Sequence, residues 1–247
     1  MLTTVVAIIA FVTALISGIF GMAGGLVLMG ALGFVLSVPE AMTLHGLIQM
    51  MSNGSRAVFH LRHVRWPVLG LYAAGALSVG AAFAAVTYTP SKAALYLLLG
   101  AVPLVTWLPK ERLNLDAARP LHALLCGGLI GAMQLLAGVA GPMLDIFFVR
   151  SEMSRHQIVA TKAATQVVSH AIKIAYYGGA LLLSAPAEAR GVGGIFLVTL
   201  PFTLAGTWAG SRLLERFTDD GFRTWSRRIV TAIGAVYLVR GALLLAA

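Results

Sequence analysis

Long apolar runs separated by short charged loops make up almost the whole chain. The runs cover about 3–37, 41–60, 66–88, 92–108, 120–149, 156–178, 191–213 and 226–246. A helix of about 20 apolar residues crosses a bilayer. The pattern therefore predicts an all-α polytopic membrane protein with about eight membrane segments. Two runs are too long for one span, and each carries helix breakers in its middle: Gly21-Met22-Ala23-Gly24-Gly25 in the first and Gly138-Val139-Ala140-Gly141-Pro142 in the fifth.

An ungapped shift of 117 residues superposes the two breaks. The same shift places His45 on Lys162, Gln49 on Gln166, Ser52 on Ser169, Asn53 on His170 and Arg56 on Lys173. Polar side chains are expensive inside membrane segments, so matched polar positions in two apolar runs point to an internal repeat. The division is a first repeat over 1–110, a connecting loop over 111–117 and a second repeat over 118–247.

Composition sharpens the class. Hydrophobic residues make up 59% and charged residues 11%, with 27 glycines, and mean hydropathy is +0.88. A soluble domain is about a quarter charged. This composition excludes a water-soluble enzyme, and its hydrophobicity excludes disorder. The net charge of +9 would suit a nucleic-acid binder, but the basic residues sit mostly in short loops, which reads as membrane topology and no nucleic acid. The single cysteine, Cys126, permits no internal disulfide and reads as a packing residue; no metal-ligand set can be built on it. The N-terminal run lacks a basic flank and is expected to be retained rather than cleaved as a signal peptide.

The loops orient the chain. Arg56, Arg62, Arg65, Lys110, Arg112, Arg119, Arg150, Arg155, Arg212, Arg216, Arg223, Arg227 and Arg228 fall on one side, against Lys92, Arg190 and Arg240 on the other. The positive-inside rule makes the first side cytoplasmic. This requires run five to enter and return as a hairpin around its break, and run one to do the same from the opposite side. Each half then has a glycine-broken hairpin plus three transmembrane helices, so the repeats are inverted and both termini are outside. Eight plain crossings with parallel repeats are the alternative.

His45, Gln49, Ser52 and Arg56 share one helical stripe, and Lys162, Gln166, Ser169 and Lys173 repeat it, with His170 alongside. Inverted packing puts Gln49 and Gln166 near mid-depth, with Arg56 and Lys162 toward the inner mouth and His45 and Lys173 toward the outer. Cations flanking a neutral, hydrogen-bonding centre suit an anion path, since strong charge at the centre would slow release. Interhelical hydrogen bonding that merely holds the bundle is the plainer alternative. Gly24, Gly25, Gly141 and Pro142 are expected to bring backbone N–H groups of broken helices to the ligand. Gln134 precedes the second break and could donate to the same site. Asp145, an acid inside run five, either pairs with a cation such as Lys162 or carries a coupling proton. Trp66, Trp107, Trp208 and Trp225 lie near segment ends, as interfacial anchors do, with Trp208 also a core candidate. Neither a Walker A pattern, nor H-E-x-x-H, nor G-x-S-x-G is present, so no catalytic residue, cofactor or metal is assigned.

The break Gly18-Ile19-Phe20-Gly21-Met22-Ala23-Gly24-Gly25, its echo Gly138–Pro142 and the basic loop His60-Leu61-Arg62-His63-Val64-Arg65-Trp66 resemble the sulfite exporter TauE/SafE family over nearly the whole chain. Met22-Ala23 departs from the more glycine- and valine-rich break usual there. The resemblance implies an inner-membrane exporter of a small sulfur-containing anion, such as sulfite, sulfoacetate or a related organosulfonate. Alternating access coupled to a proton or sodium ion is the expected mechanism. An anion channel and a non-transporting membrane subunit of a larger complex are the rivals, and a homodimer remains open.

Overall fold

The structure, a computed structural model, describes residues 2–20, 23–109, 113–214 and 219–246, the side chains of 18–20, 211, 214 and 219–226 excepted. Gly21 and Met22 of the first break, and Lys110, Arg112 and Arg216 among the orienting cations, lie outside the described residues, as does the side chain of Arg223. Eleven α-helices are described: α1 (Leu2–Phe20), α2 (Ala23–Val35), α3 (Val38–Phe59), α4 (Trp66–Val86), α5 (Lys92–Ala101), α6 (Pro120–Leu136), α7 (Gly141–Phe148), α8 (Arg155–Lys173), α9 (Gly179–Ser184), α10 (Pro186–Leu214) and α11 (Asp219–Ala246). The protein is an all-α membrane protein.

Among the described residues, Trp66–Val86, Arg155–Ser184, Pro186–Gly210 and Arg227–Ala246 are long and apolar enough to cross a membrane unaided. Leu2–Ser17, Ala23–Val35, Lys92–Trp107 and Pro120–Leu136 are apolar but shorter. α3 has the length, at 22 residues, but its polar stripe lowers its hydropathy. Run four departs from one regular helix: α5 gives way to a 3₁₀ stretch over Val102–Trp107, where Pro103 cannot donate a backbone hydrogen bond.

Both long runs double back. The Ala117 N–H, before α6, donates to the Phe147 carbonyl at the end of α7, at 2.7 Å. A single straight span could not bring those residues together. At the first break, Gly24 lies directly against Ser17 and Thr13 of α1, so α2 returns along α1.

Helix pairing has its own symmetry. α1 packs on α10 and α6 on α4, while α3 packs on α8 and α5 on α11. The 117-residue shift carries α1 onto α6, α3 onto α8 and most of α4 onto α10, so it exchanges the first two pairings and maps the third onto itself; α5 and α11 pair as the last α-helix before and the last α-helix after the connecting loop. Small residues make the closest ones. A Cβ at Gly127 would strike the Tyr72 carbonyl, one at Gly75 the Leu124 carbonyl, and one at Gly206 the Phe11 carbonyl. Without a hydrophobic force between helices in lipid, such backbone approach is a main source of association.

α3 and α8 begin alike. Ser37 N–H and Oγ–H donate to Glu40 Oε2 at 2.9 and 2.6 Å. The Ser154 N–H donates to Gln157 Oε1 at 3.1 Å, and the Gln157 N–H to Ser154 Oγ at 3.3 Å. These are capping boxes, which satisfy the free N–H groups of a first turn, and they too are 117 residues apart. That spacing is visible in the sequence.

Candidate functional site between two polar helices

α3 and α8 run antiparallel. His45 meets Lys173 near one end, and at the other the Arg65 N–H, just after α3, donates to Thr161 Oγ1 at 3.0 Å. Their polar faces therefore oppose each other across a cavity of about 250 Å³. From α3 the wall includes His45, Gln49, Ser52, Asn53 and Arg56; from α8 it includes Lys162, Gln166 and His170. Ser17 and Gln134, which immediately precede the two breaks, complete the polar lining. The rest of the lining is largely apolar, with Leu26, Val139, Ala140, Pro142 and Leu144, and Ile158 and Val159 of α8 itself.

The cavity is asymmetric along its length. At one end Arg56 is exposed and Lys162 partly so, with exposed Arg62, Arg65 and Arg155 beyond them. At the other, His45 and Lys173 are fully buried and His170 is 1% exposed. The second end is a plug. Lys173 Nζ donates to the Gly138 carbonyl at 2.8 Å and to Gln134 Oε1 at 3.3 Å, and lies 2.8 Å from His45 Nδ1. His45 Nε2 is 3.0 Å from the Gly25 carbonyl. Lys173 thus ties α3, α8 and the second hairpin together. The next residues, Ile174–Gly178, form a π-helical turn, an irregularity frequent at functional sites. Gly138 has φ +74° and packs on the Met29 and Met42 sulfurs, so a larger residue there would be both strained and crowded.

Several expected site residues converge on the cavity: Gly25, His45, Gln49, Ser52, Arg56, Gln134, Gly141, Pro142, Lys162, Gln166 and His170. Gln134 Nε2–H donates to Gln166 Oε1 at 3.1 Å, and among the described residues the buried Gln166 Nε2 has no partner.

Four expectations need correction. Ser169 does not line the cavity; it is buried and shares a 2.6 Å hydrogen bond with the Tyr72 hydroxyl on α4, because the cavity face of α8 runs through 159, 163, 166 and 170. Gly24 serves the close packing of α2 on α1 instead of the cavity. Lys173 and His45 are not at an open outer mouth but inside the plug. The second break presents no cradle of backbone donors at its start, since Pro142 has no N–H and both Met143 and Leu144 N–H groups donate to the Ala140 carbonyl, at 3.1 and 3.0 Å.

Asp145 forms an ion pair with Lys162, which holds α7 to α8 at the open end and offsets the Lys162 charge. Cys126 is buried in the α4–α6 contact. Trp66, Trp107 and Trp208 are exposed, which places Trp208 outside the core, with Arg212 over its ring. Ser17, Asn53 and Tyr72 are lining or supporting residues that stripe spacing missed. The repeat shift would have found Ser17, because it maps onto Gln134.

Beyond the open end, a histidine pair joins the loop after α3 to the start of α8. His63 stacks on His156, the second residue of α8, with ring centroids 5.3 Å apart. Partial burial, then Arg62 and the neighbouring His156 and His60, hold His63 below the usual imidazole value of 6.5.

Searches of curated proteins and of solved structures give no match to this chain. The model of the family described as Sulfite exporter TauE/SafE matches residues 6–237, and with the all-α membrane fold this places the chain in that family of membrane transporters.

Proposed function

We propose that the chain is a secondary transporter that moves a small anion through the cavity between α3 and α8 and exports it from the cytoplasm. The observation that carries this reading is the cavity itself: two matched polar helices face each other across it, open at the Arg56–Lys162 end and plugged at the Lys173–His45 end. A path closed at one end suits alternating access better than a continuously open channel. The open end carries the exposed basic loops, so the positive-inside rule supports a cytoplasm-facing state ready to load. On this reading the halves, about 1–110 and 118–247, are inverted repeats, both termini are outside, and the other state plugs the cytoplasmic end.

Membership of the family supports a sulfur-containing anion as cargo, with sulfite, sulfoacetate or a related organosulfonate the candidates. The lining favours those with a carbon substituent. Gln49, Gln166, Ser52 and Asn53 supply hydrogen bonds for oxyanion oxygens, Arg56 and Lys162 draw the anion in, and the apolar part of the lining takes carbon. Binding of sulfite, sulfoacetate, sulfate and a carboxylate of similar size to the purified protein tests this. Tighter binding of a sulfur anion is expected; tighter carboxylate binding would refute the cargo.

A further inference from the structure

His170 is buried, lines the cavity and, among the described residues, has no hydrogen-bond partner at either ring nitrogen. Buried polar atoms are almost always paired, and leaving one unpaired costs about 1–3 kcal/mol. An imidazole with two unpaired nitrogens in the wall of a cavity is therefore poised for a ligand.

Its neighbours decide which protonation state that ligand meets. Three groups surround Lys173 Nζ. The Gly138 carbonyl and Gln134 Oε1 can only accept. His45 Nδ1 accepts as well, because Nε2 of the neutral ring must carry the proton to donate to the Gly25 carbonyl. Three acceptors around one nitrogen require three donors, which is an ammonium. Among the described residues no carboxylate answers it: Asp145 is committed to Lys162. The plugged end thus holds a buried positive charge without a counter-ion, the arrangement that is costly until an anion arrives.

The other titratable or charged groups on the elements around His170 are Glu40, His45 and Arg56 on α3, Tyr72 on α4, His122 and Cys126 on α6, Asp145 on α7, Arg155, His156 and Lys162 on α8 and Tyr176 and Tyr177 in the π-helical turn. Glu40 is engaged by Ser37 at the start of α3. None supplies an unpaired negative charge at the plug. An imidazolium at position 170 in the empty cavity would meet the Lys173 charge with nothing to offset it. An anion between Gln166 and the plug supplies that offset and accepts the hydrogen bond.

We infer that His170 takes up one proton with the anion and binds it as an imidazolium, so that the carrier moves anion and proton together. The inference rests on the cavity being an anion site. The proton comes from water at the open mouth and leaves with the anion, returning His170 to neutral imidazole. By linkage, the anion strengthens proton binding by the same factor that the proton strengthens anion binding.

Methanesulfonate is a suitable probe, because it does not itself titrate near neutral pH. Calorimetric titration of the full chain in two buffers of different ionisation enthalpy gives protons taken up per anion bound. About one proton per anion is expected near neutral pH, with affinity falling about tenfold per pH unit on the alkaline side. His170→Gln, with His170→Asn as a second variant, should still bind methanesulfonate but take up no proton and lose the pH dependence. Wild-type binding without proton uptake overturns the inference and leaves the anion site standing. Uptake that persists in folded His170 variants, or is lost only in Lys173→Gln, overturns the assignment to His170. Absence of saturable methanesulfonate binding at every pH overturns the anion site and the inference together.

Discussion

Ser169 on α8 and Tyr72 on α4 share a buried hydrogen bond of 2.6 Å. The bond turns a polar residue away from the cavity and spends it on holding two membrane helices in register. Removing one partner strands the other in an apolar setting. Ser169→Ala should therefore cost about 1–2 kcal/mol of stability, with anion affinity changed less than twofold. Tyr72→Phe added to it should restore part of the loss, because no unpaired hydroxyl remains. Thermal unfolding of the single and double variants in detergent, read beside anion binding, checks both statements. A large loss of binding at unchanged stability would return Ser169 to the cavity wall.

Asp145 offsets the Lys162 charge at the mouth. Asp145→Asn frees that charge and should raise anion affinity about two- to fivefold, a gain of roughly 0.5–1 kcal/mol for a partly exposed pair. Lys162→Met in the same background should cancel the gain. Binding titrations at low and high ionic strength check it, since screening should shrink the difference. An unchanged affinity would place the pair outside the anion's reach.

The glycines separate into structural and site positions. A Cβ at Gly127 would run into α4 backbone, which cannot yield, so Gly127→Ala should fail to give folded protein. A Cβ at Gly25 would sit 2.5 Å from Gln49 Nε2, the end of a flexible side chain. Gly25→Ala should fold, displace the Gln49 amide and weaken anion binding several-fold. Gly54 has no atom within 4 Å of such a Cβ, and Gly54→Ala should be silent. Expression, size-exclusion profile and binding distinguish the three.

The His63–His156 stack should loosen in acid. Because His63 titrates below 6.5 when packed, the detached loop binds a proton more readily than the packed one. The packing is fully present above about pH 6.5 and is lost as pH falls through the lowered value. Amide exchange over 60–65 should speed up more between about pH 7.5 and 5.5 than intrinsic chemistry explains, and His63→Gln should flatten that response. Equal protection at both pH values would contradict it.

Much of this was legible in the chain. The apolar runs located the membrane segments, the paired breaks located the hairpins, and the stripe on α3 named four cavity residues. The α8 stripe was less reliable. Spacing defines a face only to within about one residue step of rotation, and here Ser169 and Lys173 fall just beyond it. Their destinations depend on neighbours in other elements: Tyr72 on α4 for one, and the Gly138 carbonyl and Gln134 for the other. Nor could spacing show that Lys173 is enclosed, because a lysine at a segment end ordinarily reaches the interface. The second break was misread for a chemical reason: Pro142 starts α7 well but brings no donor. The 117-residue match of Ser37–Glu40 with Ser154–Gln157 was present in the sequence and needed only the capping-box pattern to be seen.

Gln49 and Gln166 are the central pair of the proposed path, one from each polar helix and both at the cavity wall. Flux of labelled sulfite or sulfoacetate from liposomes holding the purified chain, wild type against Gln49→Ala with Gln166→Ala, tests that path most directly. Each lost hydrogen bond to an anion is worth about 1.5–3 kcal/mol. The expected result is saturable wild-type flux reduced at least tenfold in the double variant, with both proteins folded. Equal flux through both proteins would contradict an anion path between α3 and α8.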